Sequence, residues 1–275
     1  MFIPTRFRRA VLLHLFKNLS PRTPVSTPLI LGIHGPSGEG KTYQCEQVLK
    51  EINAQIAYVS GGELESREAG EPAELIRKAY ERAASYRISS LGELRPAAVF
   101  INDIDAAIGD WGELVQYTVN RQNVFGELMH LADFPEQLRN ESTVRVPIIA
   151  TGNDFTKLYG PLIRLGRMHL FAWRPTQDEK LGIVNSIYPE LTVEECQFLL
   201  ASFADQPASF FSELRSHLED EMVWSYIEQI GVAEAFGRLS HGEVPRLRSV
   251  IEVMELQNLG NALLKSRALM NYLEG

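Results

Sequence analysis

Cysteine is scarce in this chain, and long apolar runs are missing. Only Cys45 and Cys196 occur in 275 residues. Their separation matches no metal-ligand spacing, and two thiols suggest no disulfide framework, so a reducing, cytosolic-type compartment is expected. No apolar stretch approaches the roughly 20 residues that cross a bilayer, which excludes a spanning helix. An excess of basic charge is also lacking. The net charge is −8, which argues against broad attraction to nucleic acid. There is neither an internal repeat nor a low-complexity tract, and 45% hydrophobic with 23% charged residues is the composition of an ordinary globular chain. At this length one or two domains with a sizeable core are expected. Acidic residues are absent before Glu39, whereas Arg6, Arg8, Arg9, Lys17 and Arg22 precede it. Residues Met1 to Ser20 therefore have the charge of a targeting peptide, but the apolar centre, Ala10 to Phe16, is short and no small-residue cleavage site follows. The expectation is a linker helix packed near the site described next, with targeting or surface binding as the alternative.

What is present is Gly35-Pro36-Ser37-Gly38-Glu39-Gly40-Lys41-Thr42, following the apolar run Pro28 to Ile33. A glycine-rich turn between strand and helix points successive backbone N–H groups inward as a nest for phosphate oxygens. The helix opening at Lys41 adds the positive end of its dipole. Lys41 is placed to reach the β- and γ-phosphates, and the Thr42 hydroxyl to ligate Mg²⁺. The competing reading is a glycine-rich loop with a stray lysine. The strand before it and the helix after it favour a nucleoside triphosphate.

Further along, apolar runs predict parallel strands at Ile56–Ser60, Ala97–Ile101, Val144–Ala150 and Met168–Trp173. Helices are expected over Thr42–Ile52, Glu71–Tyr86, Val119–Ala132 and Phe155–Leu165, and a loop over Asp105–Tyr117 because of Gly109 and Gly112. After Pro175 the strands stop. Helical spacing runs through Gln177–Tyr188, Thr192–Ala204, Pro207–Ile230 and Ala233–Leu239, and a last helix from near Val244 toward Leu273. The expected organisation is a linker helix and proline-rich connector over residues 1–28, an α/β nucleotide-binding subdomain over 29–174 and an all-helical subdomain over 175–275.

Hydrolysis of ATP needs a carboxylate that orients water, a group that senses the γ-phosphate, and positive charge for the transition state. The third strand ends Phe100-Ile101-Asn102-Asp103. Asp103 takes the water-activating position, and Asn102 the Mg²⁺-side position usually held by an acid. Asn153 ends the fourth strand, where it is placed to meet the γ-phosphate or the attacking water; a turn-forming Gly-Asn is the alternative. Arg164 and Arg167 flank Gly166 and are candidates for arginine fingers toward a neighbouring subunit, or else cations at a helix end. Arg215 is a candidate to approach the phosphate from the helical subdomain, or an ordinary arginine on an amphipathic helix.

At this point GPSGEGKT, SGGELES, FINDIDA, QYTVN, RVPIIATGNDF and LYGPLIRLGRM, in this order, resemble Rubisco activase, an AAA+ ATPase, from about Arg9 onward. The resemblance implies an AAA+ fold with a five-stranded parallel sheet and a helical lid. It also implies a hexameric ring that hydrolyses ATP with Mg²⁺ at subunit interfaces and works on the Rubisco holoenzyme, chiefly its large subunit. That work releases inhibitory sugar phosphates, in a cyanobacterial cytosol or carboxysome in preference to a chloroplast stroma. By position it makes Lys41 and Thr42 the nucleotide loop, Asn102 and Asp103 the acidic strand end, and Asn153 the sensor. Arg164 and Arg167 match the fingers, and Arg215 the lid arginine. It would line a central pore with Glu63, Leu64, Glu65 and Ser66 and with the Trp111 to Tyr117 loop. Three departures are visible: a short Pro135–Val144 segment, His34 where plant members carry tryptophan, and Trp224-Ser225 in place of a basic pair. The divergent Glu219–Tyr226 region motivates one rival, a motor with another protein client, and Asn102, which supplies no charge for the metal, motivates a second, a nucleotide-controlled scaffold that hardly hydrolyses ATP. A small-molecule kinase fits less well, because the last third is helical with no obvious acceptor pocket.

Overall fold

The computed structural model describes residues 2–20, 27–64, 70–87, 95–109, 118–139, 141–242 and 251–273. They divide into two compact units, Thr5–Arg174 and Met1–Pro4 with Pro175–Gly275.

The first unit is built on five parallel strands: β1 (Ile30–His34), β2 (Gln55–Ser60), β3 (Ala97–Asn102), β6 (Ile148–Gly152) and β7 (Met168–Ala172), in the order β2-β3-β6-β1-β7. β1 lies between β6 and β7, pairing Ile30 with Ile148 and with Met168. β3 and β6 are apolar or small and buried almost throughout, as strands covered on both faces must be. One face is covered by α3 (Glu71–Arg87) and α5 (Thr118–Asp133), which bury Ile76, Ala79, Tyr80, Ala83, Val124 and Leu128 against Val99, Ile101 and Ile148. The tyrosine anchors this layer twice: Tyr80 Oη donates to the Pro135 carbonyl at 2.6 Å and accepts from Val146 N at 3.0 Å. α1 (Thr5–Leu19) packs on α2 (Lys41–Glu51), burying Phe7, Val11 and Leu15 together with Cys45, Val48 and Leu49, and Arg8 pairs with Glu51. α1 thus lies within the α/β unit.

Several boundaries differ from the sequence reading, each for a local reason. The expected helix over Phe155–Leu165 is a single 3₁₀ turn, Phe155–Lys157, followed by turns up to Arg167. Asp154 caps that turn by accepting from Thr156 N at 3.0 Å. Pro161 then lacks an amide to continue a helix, and Gly166 sits at φ +97°. The expected loop at Asp105 begins instead with a short helix, α4 (Ile104–Ile108), because Ile104 and Ile108 are both buried one turn apart. The β6 ladder starts at Ile148, after Pro147, which has no amide to give. Two short strands, β4 (Gln137–Leu138) and β5 (Glu141–Ser142), make a hairpin that the alternation of the sequence did not signal.

The second unit is helical: α6 (Gln177–Ile187), α7 (Val193–Ser202), α8 (Ala208–Ile230), α9 (Val232–Ser240) and α10 (Val253–Leu273). α6 and α7 each open with a capping box, Thr176 with Glu179 and Thr192 with Glu195, which satisfies two otherwise orphaned amides per helix. The core is Tyr188, Leu199, Phe203, Phe210, Phe211, Leu214 and Leu256, with Tyr188 Oη donating to the Phe211 carbonyl at 2.7 Å. α10 starts at Val253, and the expected start near Val244 falls outside the described residues.

Candidate functional site

In an all-parallel sheet the strands' C-terminal ends share one edge, and the crevice there is where ligands bind. The order β3-β6-β1 therefore brings Asn102, Asn153 and the glycine-rich loop after His34 side by side.

The loop is shaped by contacts that admit only glycine at its start. Gly35 has φ +152°, and a Cβ there would stand 1.9 Å from the Trp173 carbonyl oxygen. Gly40, the residue before α2, is left-handed at φ +72°. Trp173, fully buried, holds the loop from below. Its backbone N donates to the His34 carbonyl at 2.7 Å, and its indole Nε1 to the Glu39 carbonyl at 2.8 Å. Gln44 Nε2 gives the same carbonyl a second bond at 3.3 Å. From the other side Phe7 meets the indole edge-on at 4.9 Å, and the Arg6 guanidinium lies 4.9 Å from its centre. So α1 does pack beside the phosphate loop, through Trp173.

Lys41 Nζ donates to the Gly35 and Pro36 carbonyls, both at 2.8 Å, and to Asn153 Oδ1 at 3.0 Å. Burial pulls this ammonium below the ordinary lysine range, while the negative charges of Asp103, Asp105 and Glu39 oppose that pull. Thr42 Oγ1 donates to Asn102 Oδ1 at 2.6 Å, and Thr151 Oγ1 donates to the same oxygen at 2.8 Å. Asn102 Nδ2 in turn donates to Asp103 Oδ2 at 2.9 Å. The asparagine accepts hydrogen bonds from two hydroxyls and, as a carboxylate there could not, donates one to the neighbouring Asp103.

Asp103 sits at φ +52°, left-handed for a residue with a side chain, at the start of α4. Such backbone is costly and persists where surroundings enforce it. Here Gly61 lets the turn approach, since a Cβ on it would stand 2.5 Å from the Asp103 carbonyl oxygen. Asp105, 1% exposed, accepts from the backbone amides of Asn153 at 2.9 Å and Asp154 at 2.7 Å. His34 stacks on Phe155 at 5.3 Å, and burial lowers its pKa, with Asp154 acting against that and Lys41 with it.

These features fit a magnesium–nucleotide. The loop presents glycine-only backbone, an ammonium and the start of an eleven-residue helix. Thr42, whose proton goes to Asn102, keeps oxygen lone pairs for a hard cation. Mg²⁺ takes one or two protein ligands and the rest from phosphates and water, and Thr42 is the protein ligand this loop offers.

The two candidate fingers lie at the other end of the sheet. Arg164 and Arg167 precede β7, and Arg167 O accepts from Ile30 N, at the N-terminal end of the sheet. At about 3.3 Å per residue, the five residues of β1 put them about 16 Å from the phosphate loop of their own chain. The two differ: Arg164 is exposed beside Leu165, itself 95% exposed. Arg167 is held by Asp133, with Nε to Oδ1 at 2.8 Å, and donates to the Pro161 carbonyl at 3.0 Å. Arg215 forks onto Glu190 at 2.8 and 2.9 Å and also binds Glu219, which raises its pKa. Of the expected pore residues, Leu64 is corrected: it is 2% exposed and packs in the α/β core, because the 3₁₀ turn Gly61–Leu64 folds it under the sheet edge. Glu63 closes that turn by accepting from Ser60 N at 2.7 Å. Glu65, Ser66, Trp111 and Tyr117 lie outside the described residues.

Sequence reasoning gave no role to Trp173, Thr151 or Asp105. A Thr one strand over from the acidic end and the Asp-x-Asp spacing were the available signals.

Comparison with known proteins assigns both units to known families. The sequence model of the AAA family, the ATPase family associated with various cellular activities, matches residues 31–176. The helical domain of ribulose bisphosphate carboxylase/oxygenase activase matches 177–267, so the junction of the two matches falls beside that of the compact units. Ribulose bisphosphate carboxylase/oxygenase activase from Anabaena sp. (strain CA / ATCC 33047) is 45% identical over 238 residues, covering 84% of this chain and 57% of that protein. The chloroplastic activase of Chlamydomonas reinhardtii is 41% identical over 239 residues, with 84% and 58% covered. That of Arabidopsis thaliana is 40% identical over 246 residues, with 86% and 51% covered. The chain thus spans between half and three-fifths of the length of these relatives. It belongs to the AAA ATPase family and carries a helical unit of the Rubisco activase type.

Proposed function

We propose that this chain is an ATP-hydrolysing motor that remodels Rubisco and releases inhibitory sugar phosphates from its active site. The observation that carries the motor reading is the convergence of Lys41, Thr42, Asn102, Asp103 and Asn153 on three adjacent strand ends. Lys41 and the loop amides bind and orient the phosphates. Thr42 would hold a Mg²⁺ bound with them, which would supply positive charge against that developing on the transferred phosphoryl group. Asp103, held at left-handed backbone and accepting from Asn102 Nδ2, takes the proton of the attacking water. Asn153, already bonded to Lys41, marks the γ-phosphate. Arg164, exposed at the far end of the sheet, serves the phosphates of a neighbouring copy. That division of labour requires a neighbouring copy, and we propose a closed ring of six, with Arg215 acting from the helical unit. The names of the activase relatives support Rubisco as client, and we place the chain in the cytosol of a carbon-fixing cell.

The test mixes the protein and Mg-ATP with sugar-phosphate-inhibited Rubisco, following carboxylation and phosphate release together, with Asp103→Asn as blank. Recovery only with active hydrolysis supports the reading; hydrolysis without recovery refutes the client. A second reading, the same motor with another protein client, is favoured by Trp224. It is 56% exposed on α8 where plant activases carry a basic pair, and it predicts that hydrolysis-without-recovery outcome.

A further inference from the structure

Asn153 needs a fixed position to distinguish a γ-phosphate, yet it stands on irregular backbone. It follows the last β6 residue, and a single 3₁₀ turn and then plain turns come after it. Its carboxamide is tied to Lys41, but Lys41 is a flexible side chain with two further carbonyl partners. The rigid element here is Asp105. It stands on α4, two residues after Asp103, with a carboxylate that is 1% exposed. One oxygen, Oδ2, accepts from Asn153 N and Asp154 N at 2.9 and 2.7 Å. Charge-assisted bonds to two successive amides fix both position and direction of a backbone. The other oxygen lies against Gly152, where a Cβ would stand 2.2 Å away, so strand end and carboxylate are fitted to each other. Phe155, the next residue, stacks on His34, at the foot of the phosphate loop.

We propose that Asp105 is a positioning residue for the reaction: through the amides of Asn153 and Asp154 it locks the γ-phosphate-sensing loop to the turn that aims Asp103. The water-activating carboxylate and the sensing amide then belong to one rigid piece, and a shift at either is felt at the other. This rests on the hydrolytic role proposed above, but its geometric half does not, and the experiment separates them.

Amide hydrogen exchange in the nucleotide-free protein reads the lock directly. In Asp105→Ala, exchange at Asn153 and Asp154 accelerates at least a hundredfold while β1 and α2 keep their protection. In Asp105→Asn, whose side-chain oxygen still accepts both amides, the acceleration stays within tenfold. With Mg-ATP, Asp105→Ala loses at least tenfold in kcat with KM within threefold, Asp105→Asn recovers most of it, and adding Asp105→Ala to Asn153→Ala costs less than twofold more. A merely structural role would give additive losses and would shift KM together with kcat. If Asp105→Ala does not fold, Asp105→Glu reads the same position, since its extra methylene misplaces both amides while keeping the charge, and it shows the same kcat loss. Unchanged exchange at Asn153, or wild-type kcat in Asp105→Ala or Asp105→Glu, overturns the proposal. Faster exchange in a protein whose wild type hydrolyses no ATP leaves the lock standing and removes the hydrolytic reading.

Discussion

Acidification should loosen the α/β unit through one residue, His14. Its ring lies in α1, buried against the sheet, with Nε2 donating to the Ile148 carbonyl at 3.2 Å. Around it stand Asn18, which donates to the His14 and Pro28 carbonyls, and Arg145, which donates to Asn18 Oδ1 at 2.8 Å. Burial is the main cause that pushes the His14 pKa down to about 3; the Ile148 and Leu29 carbonyls oppose it, and His169 and Arg145 reinforce it. In the unfolded chain the ring titrates near 6.5. Below about pH 6.5 the unfolded state therefore binds a proton that the folded state refuses, so stability falls as pH falls, down to about pH 3. With those two values the loss between pH 7 and pH 5 is about 2 kcal/mol, at 1.36 kcal/mol per unit of pKa difference. Urea unfolding followed by far-ultraviolet circular dichroism at pH 7, 6 and 5 measures it. The comparison chain is His14→Gln, which keeps an N–H for Ile148 but cannot charge. The wild type should lose about 2 kcal/mol more than this variant over that range. Parallel pH profiles for the two chains would refute the assignment of a neutral, desolvated imidazole.

Four further substitutions test the site and its surroundings. Asn102→Asp sets a second carboxylate against Asp103 in place of the donated amide hydrogen, so phosphate release should slow at least tenfold, although the change restores the more usual acid. Arg164→Ala should abolish hydrolysis with little change in Tm, because that side chain is exposed and the carboxylate near it, Asp133, is hydrogen-bonded to Arg167 instead. Arg167→Ala should instead cost about 1 kcal/mol of stability by orphaning Asp133, and mixing Arg164→Ala with Lys41→Ala chains should restore some hydrolysis if sites are shared. Trp173→Phe removes the indole donor from the Glu39 carbonyl. The loss of one such bond is worth about 1 kcal/mol, so fluorescent-nucleotide affinity should fall about fivefold while the fold persists.

The parallel strands and the phosphate loop were legible because each writes its physics locally. Val99 to Ile101 is apolar on both faces, and a glycine-rich turn before Lys41 has few other uses. The ends of β3 and β6 were legible as polar residues in the right order, but their meeting depends on the strand order, which no single segment encodes. The stretch from Phe155 to Arg167 was misread because its apolar residues keep helical spacing while Asp154, Pro161 and Gly166 spend the backbone on turns. Leu64 was misread because a motif places a residue in a loop without saying which way its side chain turns. Asp105 was passed over because its work is done on amides some 48 positions away, a contact with no periodicity to betray it.

The chain carries three tryptophans: Trp111, outside the described residues; Trp224, in water on α8; and Trp173, sealed against the phosphate loop. An indole whose N–H rests on Glu39 and whose face meets the Arg6 guanidinium has its excited state set by the geometry of that loop. With the other two replaced by phenylalanine, the emission of Trp173 becomes an intrinsic optical readout of loop rearrangement. Such a rearrangement could then be timed in a stopped-flow instrument without attaching any dye.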